Sequence, residues 1–286
     1  MKIATCHYGD QLLPCRIESD QVIIPDLQTT VLELIDGGRA ALDVFGKAQG
    51  KRVNLEDLTL VAPIPRPRKN IICLGWNYAE HVDETSATSG RDPKIPQHPI
   101  VFTKNVTSVI GAGAPIPFDP SISSELDWEV ELGVVIGTGG RNIPHQDALS
   151  HLFGYTVIND ISARDLQFRH QQFFIGKSLD GGCPMGPWIV TADEIDDPQS
   201  LHLECRVNGE VKQSSSTRQQ IFSIATIIET LSQVMTLEPG DLIATGTPSG
   251  VGFARTPPEY LKPGDLVECE IEGIGTLSNP VVAGSN

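Results

Sequence analysis

The sequence predicts an α+β fold, predominantly β, in which a small N-terminal β-rich domain precedes a larger one. Three observations carry that expectation. Short apolar runs recur along the 286 residues, separated by Gly and Pro turns, as many short strands require. Extended helical periodicity is confined to residues 29–49 and 221–235, with no regular alternation of strand and helix. Pro63-Ile64-Pro65-Arg66-Pro67-Arg68 is a stiff, non-helical connector. It divides the chain into a small domain and linker, 1–68, and a second domain, 69–286.

Residues 1–60 read as short strands and turns around the helical stretch 29–49. Past the connector, strands are expected at 69–75, 100–104, 129–136, 154–159, 188–191, 201–207, 241–245 and 266–271. Asn208-Gly209 is a hairpin signal, and Pro263-Gly264-Asp265 marks a further turn. The stretch 221–235 carries apolar residues at helical spacing and stops before Pro239-Gly240.

A formal net charge of −15 argues against nucleic acid as a partner, because phosphate binding needs clustered Lys and Arg. No run of about 18 apolar residues exists, so no membrane span is expected. The first ten residues lack the apolar core of a signal peptide. Cysteines at 6, 15, 73, 183, 205 and 269 form no C-x-x-C pair, which leaves zinc ribbons unsupported. Free thiols in a reducing cytoplasm are the expectation.

Glu129-Val130-Glu131 places two carboxylates on one face of an apolar strand, since side chains alternate with period two. Asp160 ends a second apolar run, 153–160. Buried together, three like charges repel and lose hydration, and a divalent cation relieves both costs. Oxygen ligands suit Mg2+ or Mn2+. The competing reading is a solvated face of a half-exposed strand. His81 and Glu84, three apart, share one helical face, so the carboxylate can orient the imidazole as a general base, or both can be surface residues. Arg164 and Gln167 follow Asp160 by four and seven positions, with Ser162 as a candidate N-cap. Lys177 follows an apolar run and, taken alone, reads as a strand-end surface lysine. Thr247 lies among glycines that allow close backbone approach. Gly137-Thr138-Gly139-Gly140 lacks the third glycine of a dinucleotide fingerprint, and Ser249 has no nucleophile elbow.

Four blocks resemble the fumarylacetoacetate hydrolase family, in that family's order. They are the lid-like Asn77-Tyr78-Ala79-Glu80-His81-Val82-Asp83-Glu84, the strand from Asp127 to Gly137, the turn Asn159-Asp160-Ile161-Ser162-Ala163-Arg164-Asp165-Leu166-Gln167, and the loop Gly246-Thr247-Pro248-Ser249-Gly250-Val251-Gly252. The resemblance covers roughly residues 69 to 281. The resemblance implies a mixed β-roll or β-sandwich of the family's C-terminal type for 69–286, and a homodimer. It implies that Glu129, Glu131 and Asp160 bind Mg2+ or Mn2+. His81, Glu84 and Lys177 would be catalytic, and Arg164, Gln167 and Thr247 would lie near substrate. Residues 85–93, polar and turn-rich, suit a mobile lid loop. Gln219-Gln220 departs from the family pattern of an acid and a methionine before Ile-Phe, which bears on specificity.

The expected activity is acylpyruvate hydrolase-like: metal-dependent C–C cleavage in a β-diketo acid, with His81 activating water and a metal-stabilised enolate as product. The alternatives are an oxaloacetate decarboxylase or a 2-hydroxy-dienoate isomerase on the same site, or a catalytically silent binding protein.

Overall fold

The computed structural model describes residues 1–89 and 95–284, and strands dominate it. A twelve-stranded sheet has as its main path Gly50–Asn54, Gln21–Pro25, Gln11–Glu18, Lys2–Tyr8, Cys183–Thr191, Leu152–Asn159, Val130–Ile136, Leu242–Ala244, Ile71–Gly75 and Ile100–Lys104. A five-stranded sheet runs Glu210–Ser216, His202–Val207, Leu266–Ile271, Gly275–Ala283, Ile116–Phe118. Neighbours are mostly antiparallel; Leu242–Ala244 beside Ile71–Gly75 is a parallel exception.

The helices are short. α1 (Val31–Asp36) opens on a capping box in which Thr30 and Glu33 satisfy each other's backbone N–H. α2 (Gly38–Lys47) follows directly. The stretch 29–49 is thus two helices, because Gly38 takes a φ of +57° that a continuous helix excludes. α3 (Ala79–Ser89) continues past Thr85, where a turn-rich loop was expected; residues 90–93 of that loop lie outside the described residues. α4 (Arg164–Arg169) has Ala163, not Ser162, at its N-cap; the Ser162 hydroxyl donates instead to the Asp160 carbonyl. α5 (Phe174–Lys177) makes Lys177 a buried helical residue rather than a strand end. α6 (Ile224–Val234) starts at Ser223, whose hydroxyl accepts from the Thr226 N–H.

Val130–Ile136 is buried along its whole length, because both of its faces are covered. Val130, Leu132, Val134 and Ile136 point into the core shared with the second sheet, against Leu203, Cys205, Val267 and the α6 residues Ile227 and Leu231. The opposite face carries Glu129, Glu131 and Val135. Val135 joins another apolar cluster with Ile158, Met185 and Ile189. That cluster also contains Ile3, Leu34 and Phe45 from the N-terminal segment. The sheet itself crosses the connector, with Lys2 and Ile3 paired to Val190 and Ile189. All six cysteines are free and buried. Among the described residues no helix is long and apolar enough to cross a membrane.

Candidate active site

Strand pairing assembles the carboxylates. Val130 pairs with Asn159 and Glu131 with Ile158, so the next residue, Asp160, emerges beside the two glutamates. The Asp160 N–H donates to the Glu129 carbonyl at 2.9 Å, and the Glu129 N–H donates to Asn159 Oδ1 at 3.0 Å. One oxygen from each of Glu129, Glu131 and Asp160 falls within 4.8 Å of the others. Their exposures are 4 %, 1 % and 0 %, which rules out the solvated-strand reading. Three buried carboxylate oxygens converging at this distance are a donor set that fits a hard divalent cation.

Three cations surround the acids. Lys177 Nζ donates to Glu129 Oε2 at 2.6 Å and to Asp160 Oδ2 at 2.9 Å. Lys104 Nζ, fully buried, donates to Asp160 Oδ1 at 2.6 Å and to the Ile161 carbonyl. Arg164 donates from Nε to Asp127, from Nη2 to Glu129 and from Nη1 to Gln167. These partners divide the acids electrostatically. Burial pushes the Glu129 carboxyl up, but Lys177 and Arg164 outweigh it and hold the group down at about 2. Glu131 makes no direct ion pair among the described residues, and the charge of Lys177 nearby only partly offsets its burial. Burial, reinforced by the charges of Asp160 and Glu129, raises it well above the usual carboxylate range. Burial pushes Lys177 down, yet Asp160 and Glu129 outweigh burial and raise it. In the pH range where Glu131 keeps its proton, a cation bound among the acids would have to displace it.

Local backbone geometry fixes these side chains. Gly246, at a φ of +97°, turns its N–H onto Glu131 Oε2 at 2.7 Å. Gly176 lets α5 lie against α4, since a Cβ there would meet the Gln167 nitrogen at 2.5 Å. Lys177 is thereby carried next to Arg164 and Gln167. Asp127 accepts from Arg164, Trp128, Gly252 and Phe253, and so ties α4 to the glycine-rich loop. The Thr247 hydroxyl donates to the Val130 carbonyl and accepts from Gln213, so its hydrogen is committed within the fold.

α3 brings His81 to the same place. His81 Nδ1 lies 3.4 Å from Glu84 Oε2, and both Glu84 oxygens accept from the Gly250 N–H at 3.0 and 3.1 Å. Ser215 donates to Glu80 on the same helix. His81, Glu129, Arg164, Gln167, Lys177 and Thr247 all line one cavity of about 440 Å³. The nine residues singled out from sequence thus converge. Lys104, Asp127 and Gln213 were not singled out. Asp127 carried a readable signal, as it has the same strand parity as Glu129 and Glu131. Lys104 and Gln213 carried none, because their partners are 56 and 34 positions away in sequence.

Residues 70–282 match the family described as fumarylacetoacetate (FAA) hydrolase C-terminal. Over 228 residues the chain is 54 % identical to the oxaloacetate tautomerase YisK of Bacillus subtilis (strain 168), covering 80 % of this chain and 74 % of that one. It superposes on a fumarylacetoacetate hydrolase from psychrophilic Exiguobacterium antarcticum with a TM-score of 0.86 at 41 % identity, covering 99 % of this chain and all of that one. A 5-carboxymethyl-2-hydroxymuconate delta-isomerase from Mycobacterium smegmatis gives a TM-score of 0.78 at 34 % identity, with the same coverage.

Proposed function

The chain belongs to the fumarylacetoacetate hydrolase family, and from that premise we propose a divalent-metal-dependent enzyme that enolises a small 2-oxo acid, with oxaloacetate keto–enol tautomerisation as its leading reaction. The observation that carries this reading is the buried triad Glu129, Glu131 and Asp160 with Lys177 Nζ 2.6 and 2.9 Å from two of its members. Relatives named as oxaloacetate tautomerases favour this reaction over the C–C hydrolysis expected from sequence.

Mg2+ or Mn2+ held by Glu129, Glu131 and Asp160 would supply Lewis-acid polarisation of the 2-oxo group. Lys177 stays protonated at neutral pH and offers a fixed positive charge where negative charge grows on the substrate oxygen. Arg164 spends three of its five N–H groups on Asp127, Glu129 and Gln167, which leaves two for a substrate carboxylate. With Nδ1 turned to Glu84, His81 exchanges the C3 proton through Nε2. α3, tied to Gly250 through Glu84, limits water access.

Hydrolysis of an acylpyruvate-type β-diketo acid is the second reading, because the His81–Glu84 pair is also what activation of a water requires. Oxaloacetate decarboxylation and dienoate isomerisation share the enolate. The test follows enol absorbance after adding enol-oxaloacetate to protein with Mn2+, and in parallel the cleavage of an acylpyruvate. Accelerated decay of the enol that is lost with chelator supports tautomerisation. Acylpyruvate cleavage with enol-oxaloacetate decaying at the buffer rate would move the assignment to the second reading.

A further inference from the structure

The cavity has two unlike halves. One holds Glu129 with Lys177, Arg164 and His81. The other is built from Trp76, Phe102, Phe168, Phe173 and Phe253. These rings are organised. Phe102 and Phe173 meet edge to face at 5.6 Å, and Phe168 and Phe253 do so at 5.4 Å. Each pair stands under one site cation, with Lys177 Nζ 5.1 Å from the Phe102 ring and Arg164 4.4 Å from the Phe253 ring. Rings at these spacings suit another aromatic or apolar group, and they offer a carboxylate nothing.

Charge points the same way. Among the described lining residues the permanently cationic groups are Lys177 and Arg164, and both are paired with Glu129. A second substrate carboxylate pushed toward the rings would lose hydration and find there only cations already paired with Glu129. Size allows a larger ligand as well, since about 440 Å³ falls in the range of pockets that take drug-sized molecules.

Trp76 supplies an independent observation. It adopts a φ of +52°, a costly conformation for a bulky residue. Asn77 holds it there by donating to the Phe222 and Thr245 carbonyls while accepting from the Phe222 N–H. The exposed indole is thus fixed at the cavity wall at the expense of backbone strain.

We infer that the site also takes 2-oxo acids bearing an aryl group on C3, and that it interconverts their keto and enol forms. This rests on the enolisation reading above and names a further substrate class for it. The 2-oxo acid head lies at the triad and the aryl group lies between the two ring pairs. In the step, the C3–H bond breaks, its electron pair becomes the C2=C3 double bond, and the carbonyl oxygen takes up a proton. The change is an isomerisation and needs no co-reactant.

The test uses the Mn2+-loaded protein, with phenylpyruvate as probe and oxaloacetate in parallel, each followed by decay of its enol absorbance. Two variants accompany wild type. Trp76→Gly removes the indole and also relieves the positive φ, and Phe168→Ala alters a side chain that is already 61 % exposed, so both should fold. The expected result is acceleration of both substrates by wild type. In each variant the phenylpyruvate-to-oxaloacetate ratio of kcat/KM should fall about tenfold or more, mainly through KM. Turnover of oxaloacetate with phenylpyruvate left at the buffer rate overturns the inference and leaves the enolisation reading standing. A ratio unmoved in both variants also overturns it. Failure with both substrates removes the enolisation reading and this inference together.

Discussion

Glu131 couples metal binding to pH. Its carboxyl is raised above the usual 4.5, so between about 4.5 and that raised value the metal-free folded chain holds a proton that the unfolded chain has lost. Metal-free stability therefore falls as pH rises from about 4.5 through the raised value. Divalent cations must displace that proton, so their affinity should rise with pH over the same interval. Calorimetric titration of Mn2+ in two buffers of different ionisation heat should report proton release, and Glu131→Gln should abolish the release and sharply weaken binding. Affinity independent of pH would contradict this assignment. Lys104 acts from the other side of Asp160. Lys104→Met leaves a buried carboxylate oxygen without its cation, which costs about 3–5 kcal/mol. Denaturant titration should show that loss in the metal-free protein and a smaller one with Mn2+ present. Equal losses in both states would mean that Lys104 does not offset the charge at Asp160. The sequence disclosed Glu131 and not Lys104 for a physical reason. Glu131 is specified by a spacing of two along one strand, whereas Lys104 gains meaning only when its strand lies near Asp160.

Elements position these residues by close approach. In Gly176→Ala the added methyl would meet the Gln167 backbone nitrogen at 2.5 Å, which forces α4 and α5 apart. A destabilisation of about 1–3 kcal/mol is expected. Lys177 should then lose its alignment between Glu129 and Asp160, so turnover should fall further than Mn2+ affinity. Unchanged turnover in a folded variant would separate Lys177 from the reaction. The long apolar strands were legible because both of their faces are buried and they read as continuous runs. α5 was not, since four residues carry too little periodicity to distinguish a helix from a strand end. The strand ending at Thr191 begins at Cys183, earlier than the apolar run at 188 suggests, because Gly and Pro interrupt the sequence signal. Gly275–Ala283 was missed for the same reason, with Gly275 and Pro280 inside the strand.

At the scale of the molecule, one sheet links the N-terminal strands to the site. Lys2–Tyr8 caps Cys183–Thr191, and Ile3, Leu34 and Phe45 pack in the same cluster as Ile71 and Val135. A fragment comprising 69–286 should therefore lose the cooperative thermal transition of the full chain. Retention of that transition would show that the shared cluster is dispensable. His81, Glu129, Arg164, Lys177 and Thr247 line one cavity only because the two-sheet arrangement brings segments from residue 81 to residue 247 together, and Glu129 is joined there to Glu131, Asp160 and Lys104. That convergence makes enolate formation the property to measure. The direct measurement is deuterium wash-in at C3 of oxaloacetate in heavy water, followed by nuclear magnetic resonance, with Mn2+ or with chelator. Exchange well above the buffer rate, dependent on metal and absent in Glu131→Gln, is the predicted result. Exchange at the buffer rate by wild-type protein with Mn2+ bound would contradict the account.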